Sequence, residues 1–180
     1  MQVTSSSLPE VLVVEPRVHG DARGFFFESW NRRRFADAGI DAEFVQDNHS
    51  RSRRGVLRGL HYQIEHAQGK LVRVTEGAVL DVAVDLRRGA PTFGRHVAIE
   101  LTSANRRMLW IPPGYAHGFL TLSEAAELLY KTTDYWYPEH ERTLLWSDPE
   151  LEIAWPAAIA PVLAPRDAAG TPLARAECYP

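Results

Sequence analysis

Apolar and polar side chains alternate along much of this chain with a period of two. In AVLDVAVDLRRG, Leu80, Val82, Val84 and Leu86 fall on one face, and Asp81, Ala83 and Asp85 on the other. In HVAIELTS, Val97, Ile99 and Leu101 alternate with Ala98, Glu100 and Thr102. Successive side chains of a strand point to opposite faces, so these runs predict β-strands. Twelve glycines and twelve prolines cut the runs short, which points to antiparallel strands in a sandwich or barrel. The convincing internal helix is brief: NRRRFADAG at 31–39, with Asn31 as N-cap and Gly39 just past the C-terminus. From Pro156 onward alanine and proline dominate and periodicity fades, which predicts a loop or helical extension at about 156–180 lying over a sheet. The expectation is an all-β fold with minor helix, a single domain over residues 1–180, without repeats or low-complexity segments.

Composition narrows the function classes. A chain of 180 residues can bury roughly two-thirds of its unfolded surface in one core. Its 20 basic and 23 acidic side chains leave a net charge of −3, no general electrostatic reason to bind nucleic acid or an anionic membrane. A polyanion would have to be held by a local cluster of cations. The lone cysteine, Cys178, excludes an intrachain disulfide and suits a reducing compartment. The opening MQVTSSSLPEVLVVEP lacks the basic-then-apolar pattern of a signal peptide. No apolar run approaches the roughly 18 residues of a membrane span. These features together predict a soluble cytoplasmic protein.

Several short stretches carry chemistry. In RGLHYQ at 58–63, strict alternation puts Gly59, His61 and Gln63 on one face and Leu60 and Tyr62 on the other. A face of glycine, histidine and glutamine suits a wet cavity with room for a ligand beside the imidazole, although an isolated histidine of this kind is more often a satisfied structural one. DARGFFFES at 21–29 offers Arg23 and Glu28 around three phenylalanines, either an anion clamp with a stacking surface or a buried aromatic cluster edged by solvated charges. FVQDNHS at 44–50 is dense in amide, carboxylate and imidazole groups, and QGKLVRV at 68–74 sets Lys70 at a strand start. By themselves they read equally as a polar turn and an exposed strand-end lysine. In ELLYKTTDYWYPEHER, Leu128, Tyr130 and Thr132 share a face, with Tyr135 following at the turn. A tyrosine facing a polar cavity can act as general acid. In LAPRDAAG, Asp167 could orient an imidazole, but spacing does not tie it to His61.

WIPPGYAHGF at 110–119 contains P-x-G-x-x-H, namely Pro112, Gly114 and His117, similar to the second half of the cupin signature. The first half is broken, because Tyr62 and Gln63 follow His61 and the next histidine is His66. No set of three ligands with metal-site spacing emerges.

In this order the pieces resemble the dTDP-4-dehydrorhamnose 3,5-epimerase family, through VLRGLHYQ, QGKLVRV, VLDVAVDLRRGAPTFG, LWIPPGYAHGFL and YKTTDY, from about residue 9 to 170. The resemblance implies a cupin-type jelly roll acting as a homodimer without metal or organic cofactor. Its substrate would be the nucleotide sugar dTDP-4-dehydro-6-deoxy-D-glucose, inverted at C3 and C5. His61 is implied as the base, Asp167 as its orienting carboxylate and Tyr130 as the acid. Substrate contacts are implied for Arg23, Phe26, Glu28, Gln46, Asn48, Arg58, Lys70, His117, Tyr135, Glu141 and Arg166. Enolate chemistry beside a C4 ketone suits an imidazole, a phenol and an ammonium independently of that resemblance.

Two features sit awkwardly with it. Alternation turns Arg58 away from His61, which a bulge at Gly59 or a partner subunit would reconcile. Arg166 stands where the family usually has lysine, keeping charge but not geometry. Rival expectations are an epimerase of one carbon only, a ketoisomerase, and a metal-dependent or non-catalytic cupin.

Overall fold

The computed structural model describes residues 1–180. Its strands are β1 (Gln2–Ser5), β2 (Leu12–Glu15), β3 (His19–Asp21), β4 (Gly24–Phe26), β5 (Gln46–Arg53), β6 (Leu57–Gln63) and β7 (Lys70–Glu76). They continue with β8 (Ala78–Asp85), β9 (His96–Thr102), β10 (Met108–Ile111), β11 (Tyr115–Thr121), β12 (Ala125–Thr132) and β13 (Glu141–Thr143). Two short α-helices, α1 (Arg32–Asp37) and α2 (Pro165–Ala168), complete the regular structure with two 3₁₀ turns. A six-stranded sheet in the order β1-β2-β10-β7-β12-β5 stacks on a five-stranded sheet in the order β13-β6-β11-β8-β9, and β3-β4 stands apart as a hairpin. The strand pairs are antiparallel; β1–β2 and β8–β9 join consecutive strands, and the other neighbours in the two large sheets come from distant parts of the chain. This is the cupin-like jelly roll.

The space between the sheets is filled by the inward residues of alternating strands, among them Val72, Val74, Val79, Val97, Leu101, Leu109, Phe119 and Leu128. Each such side chain contributes about 1.5–3 kcal/mol when fully buried. The outer faces are covered too. Phe35 and Ile40, in and just after α1, close over Val14, Leu71, Met108 and Trp110 of the six-stranded sheet. Leu151, Leu173 and Ala176 of the C-terminal segment close over Leu60, Tyr62, Val82, Val84 and Leu86 of the five-stranded sheet. The apolar face of β8 therefore looks away from the inter-sheet core, and Asp81 looks into it with Val79 and Ala83.

Local signals in the sequence produce the expected stops. Asn31 is the N-cap of α1, its side chain accepting from the Arg34 N–H at 3.2 Å, and Gly39 follows the helix at φ 91°. Gly77 turns β7 into β8 at φ 73°, where a Cβ would lie 2.0 Å from the Ala125 carbonyl oxygen. The tail is tied down by Tyr62 Oη donating to Glu177 O at 2.7 Å, by Tyr179 Oη donating to Gln63 O, and by an Arg142–Glu177 ion pair. No helix is long and apolar enough to cross a membrane.

Candidate active site

At one end of the inter-sheet space the inward residues change from apolar to polar and enclose a cavity of about 320 Å³, at the small end of ligand pockets. The change begins on β6. There His61 pairs with His117 of β11 and Arg58 with Phe119, so Gly59 and Leu60 oppose Gly118 alone. That is a bulge, and its extra residue brings Arg58 back to the His61 side. Arg58, His61 and Gln63 line the cavity, while Leu60 and Tyr62 enter the core beneath the C-terminal segment. Strict alternation, which separated Arg58 from His61, is thereby corrected. Gly59 has φ 125°, its peptide bond to Leu60 is cis, and a Cβ there would lie 2.6 Å from Gly118 Cα. Only glycine lets the two backbones approach this closely.

The His61 Nε2 lies 2.6 Å from Oδ1 of Asp167, on α2. A carboxylate accepting the Nε2–H fixes the tautomer and leaves Nδ1 as the basic nitrogen. Burial pushes the Asp167 carboxyl upward, but hydrogen bonds from His61 and the Gly59 N–H, with the nearby His61 and Arg166 charges, outweigh it and hold the group below the usual carboxylate range. Asp167 therefore stays ionised. The guanidinium of Arg166 bonds Glu141 at 2.5 Å and reaches within 3.4 Å of His61 Nε2.

The facing wall belongs to the other sheet. Tyr130 of β12 lies in register between Asn48 of β5 and Val72 of β7, and its side chain lines the cavity over the inter-sheet core. Burial first, then the Glu141 charge, raises its phenol pKa against a smaller opposing effect of Arg58. It carries its proton at neutral pH. Lys70, at the start of β7, is buried and donates to His61 O at 3.4 Å. Desolvation draws its pKa down to about 8, although Glu141 and Asp81 pull it back up. The cations lining the cavity are Arg58, Lys70 and Arg166, against the carboxylate of Glu141, so an anionic ligand is favoured.

Gln46, Asn48, Arg58, Lys70, His117, Glu141 and Arg166 all line the cavity with His61 and Tyr130. Gln46 Nε2 bonds Asn48 Oδ1 at 3.0 Å, and Arg58 Nε bonds Ser52 Oγ at 3.0 Å. The buried Asn48 Nδ2 and Ser50 Oγ have no protein partner, which leaves them for a ligand. His117 bonds both carboxylate oxygens of Asp81 at 3.0 Å. Both imidazoles are thus engaged by carboxylates, and no three metal-ligating side chains converge.

Four residues expected here lie elsewhere within the chain. Arg23 is on the β3–β4 hairpin, paired with Asp21 at 2.5 Å. Phe26 is on the same hairpin with 71% of its surface exposed. Glu28 bonds Asn31 and Arg34 beside α1. The hairpin pairs with neither sheet, and none of Arg23, Phe26 and Glu28 lines the cavity. Tyr135 is turned outward, and the next residue, Trp136, lines the cavity instead. Sequence reasoning also passed over Asp81, Ser50, Gln68 and Trp136. For Asp81 a signal existed: a carboxylate inside a strand whose other residues are nearly all apolar.

The family model for dTDP-4-dehydrorhamnose 3,5-epimerase matches residues 5–175. The dTDP-4-dehydrorhamnose 3,5-epimerase of Pseudomonas aeruginosa is 61% identical, with 100% of each chain covered. That of Salmonella typhimurium is 54% identical, covering 94% of this chain and 93% of its own. The crystal structure of the 3,5-epimerase of Legionella pneumophila in complex with dTDP-4-keto-L-rhamnose superposes with a TM-score of 0.95 at 48% identity, covering 98% of this chain and 94% of that one.

Proposed function

The chain belongs to the dTDP-4-dehydrorhamnose 3,5-epimerase family, and on that premise we propose which of its residues carry the reaction. The enzyme inverts C3 and C5 of dTDP-4-dehydro-6-deoxy-D-glucose to give dTDP-4-dehydro-L-rhamnose, in dTDP-L-rhamnose biosynthesis. Both carbons flank the C4 ketone, so loss of either proton leaves an enolate. His61 Nδ1 takes the proton, and the Asp167 carboxylate stabilises the imidazolium that forms. Lys70, itself buried, supplies positive charge to the developing enolate oxygen. Tyr130 returns a proton to the opposite face of the same carbon, inverting it. Exchange with solvent then resets the imidazolium and the tyrosinate. This sequence requires neither metal nor organic cofactor.

Arg58 and Arg166 are assigned to the diphosphate, where guanidinium forks suit phosphate oxygens. Gln46, Asn48, His117 and Glu141 are assigned to the remaining hydrogen bonds of the nucleotide sugar. For Arg23, Phe26, Glu28 and Tyr135 we propose a homodimer in which each β3–β4 hairpin reaches the partner's cavity, near its exposed Tyr135. The exposure of Phe26 supports that reading. We place the enzyme in the cytoplasm, with a small-molecule substrate and no nucleic-acid or membrane partner.

The observation that carries the assignment is that His61 and Tyr130 enter one cavity from two different sheets, the first with Asp167 behind it. Proton NMR of the substrate with enzyme in D₂O tests it, with His61→Ala alongside. Deuterium should enter at C3 and C5, and the variant should be slower by about 10²–10⁴-fold, the usual contribution of a general base. Unchanged exchange in the variant would remove His61 from the role.

A further inference from the structure

Trp136 lies in the irregular segment between β12 and β13, where no ladder holds the backbone. The N–H groups of three consecutive residues are instead taken by side chains. Tyr135 N donates to Asp134 Oδ1 at 2.7 Å, Trp136 N to Gln46 Oε1 at 3.2 Å, and Tyr137 N to Gln63 Oε1 at 2.7 Å. The Gln63 amide group also donates, from Nε2, to Tyr135 O at 3.2 Å and to His66 O at 2.8 Å. One side chain thus grips the backbone on both sides of Trp136 and joins it to the loop after β6. Gln63 is almost fully buried, at 3% exposure, whereas Trp136 keeps 55% of its surface open. The indole is fixed at its edge by Nε1 donating to Glu141 Oε2 at 3.2 Å, and it lines the cavity.

We propose that Gln63 is a positioning residue, whose amide sets Trp136 as a rigid aromatic wall of the cavity and thereby sets affinity for the nucleotide sugar. A short polar side chain could not span the three backbone groups, and an apolar one would leave them unpaired. The wall acts on binding rather than on proton transfer, because Trp136 has no acid or base to offer. The kinetic part of this proposal rests on the epimerase reading above; the backbone part does not.

Hydrogen exchange of the wild-type enzyme, followed at single amides by NMR, tests the clasp without any substrate. The Tyr137 amide should be protected as strongly as amides of β12, and exchange at the rate of an open loop would overturn the proposal. Gln63→Met keeps the volume and removes all three bonds. It should speed Tyr137 exchange at least tenfold and raise KM about tenfold, as losing roughly 1.4 kcal/mol of binding does, with kcat within about threefold. Trp136→Ala should raise KM similarly, and adding Gln63→Met to it should change KM little further, because both act through one wall. A fall in kcat alone would mean that Gln63 acts on His61, and multiplying KM effects would mean that the two residues act separately. Either result overturns the proposal. Wild-type enzyme inert towards dTDP-4-dehydro-6-deoxy-D-glucose would sink the epimerase reading while leaving the exchange result to judge the clasp.

Discussion

His61 and His117 sit opposite each other across the β6–β11 ladder, each with a carboxylate on Nε2. The pairs are chemically alike and differently placed. Asp81 comes from β8, adjacent to His117 in the same sheet, and that pair is buried, at 7% and 0% side-chain exposure. Asp167 comes from α2, 106 residues along the chain, and the His61 ring keeps 22% exposure. A carboxylate on one nitrogen fixes an imidazole in either case. What differs is exposure, so the His61 pair can exchange protons with a ligand while the buried His117 pair braces the sheet and offers the cavity a fixed hydrogen-bonding group. The buried pair also places the Asp81 charge near Lys70, where it favours the ammonium form.

If this contrast is right, equivalent substitutions should have opposite signatures. Asp167→Asn removes the charge behind the base and permits the wrong tautomer, so turnover should fall by about 10³-fold, with a stability loss smaller than at Asp81 because the His61 ring stays partly exposed. Asp81→Asn should lower turnover less than tenfold but cost about 3 kcal/mol of stability, because it breaks a buried pair. Denaturant unfolding and steady-state rates on both variants check this, and matching signatures would break the contrast.

Tyr130→Phe sharpens it from the opposite wall. Without the phenol, inversion should slow by about 10²-fold, yet solvent deuterium should still enter C3 and C5, because His61 can remove and return a proton on its own face. Loss of exchange together with inversion would show that Tyr130 is needed to form the enolate.

The smallest effect concerns Lys70. Its folded pKa is about 8 against an ordinary 10.5, so between those values the unfolded chain binds more protons and wild-type stability rises with pH. Lys70→Met lacks that slope. It should be the more stable protein below pH 8, by on the order of 2 kcal/mol, with the gap closing towards pH 10. Thermal unfolding of both proteins at pH 7, 9 and 10 reads the difference directly.

Much of the frame was legible because it depends on near neighbours in sequence. The Asn31 cap and the Gly39 stop mark α1, and the period of two marks β8 and β9. Residues with little other reason to share a chain segment, such as those of RGLHYQ and QDN, point to a polar cavity. What alternation could not convey is a bulge: one extra residue at Gly59–Leu60 reverses the face of everything before it. Trp136 rather than Tyr135 forms the wall because side chains from β5 and β6 fix that irregular backbone.

By itself the sequence determined the all-β class, the short helix and the residue types of the site, since turn chemistry and periodicity act over a few residues. Only the tertiary structure decided that Asp167 stands behind His61, that Tyr130 faces it from the other sheet, and that Asp81 belongs to His117. Those pairings join strands and a helix that are far apart along the chain. They are set by how two sheets stack and by what covers their outer faces, a property of the whole packing rather than of any local pattern.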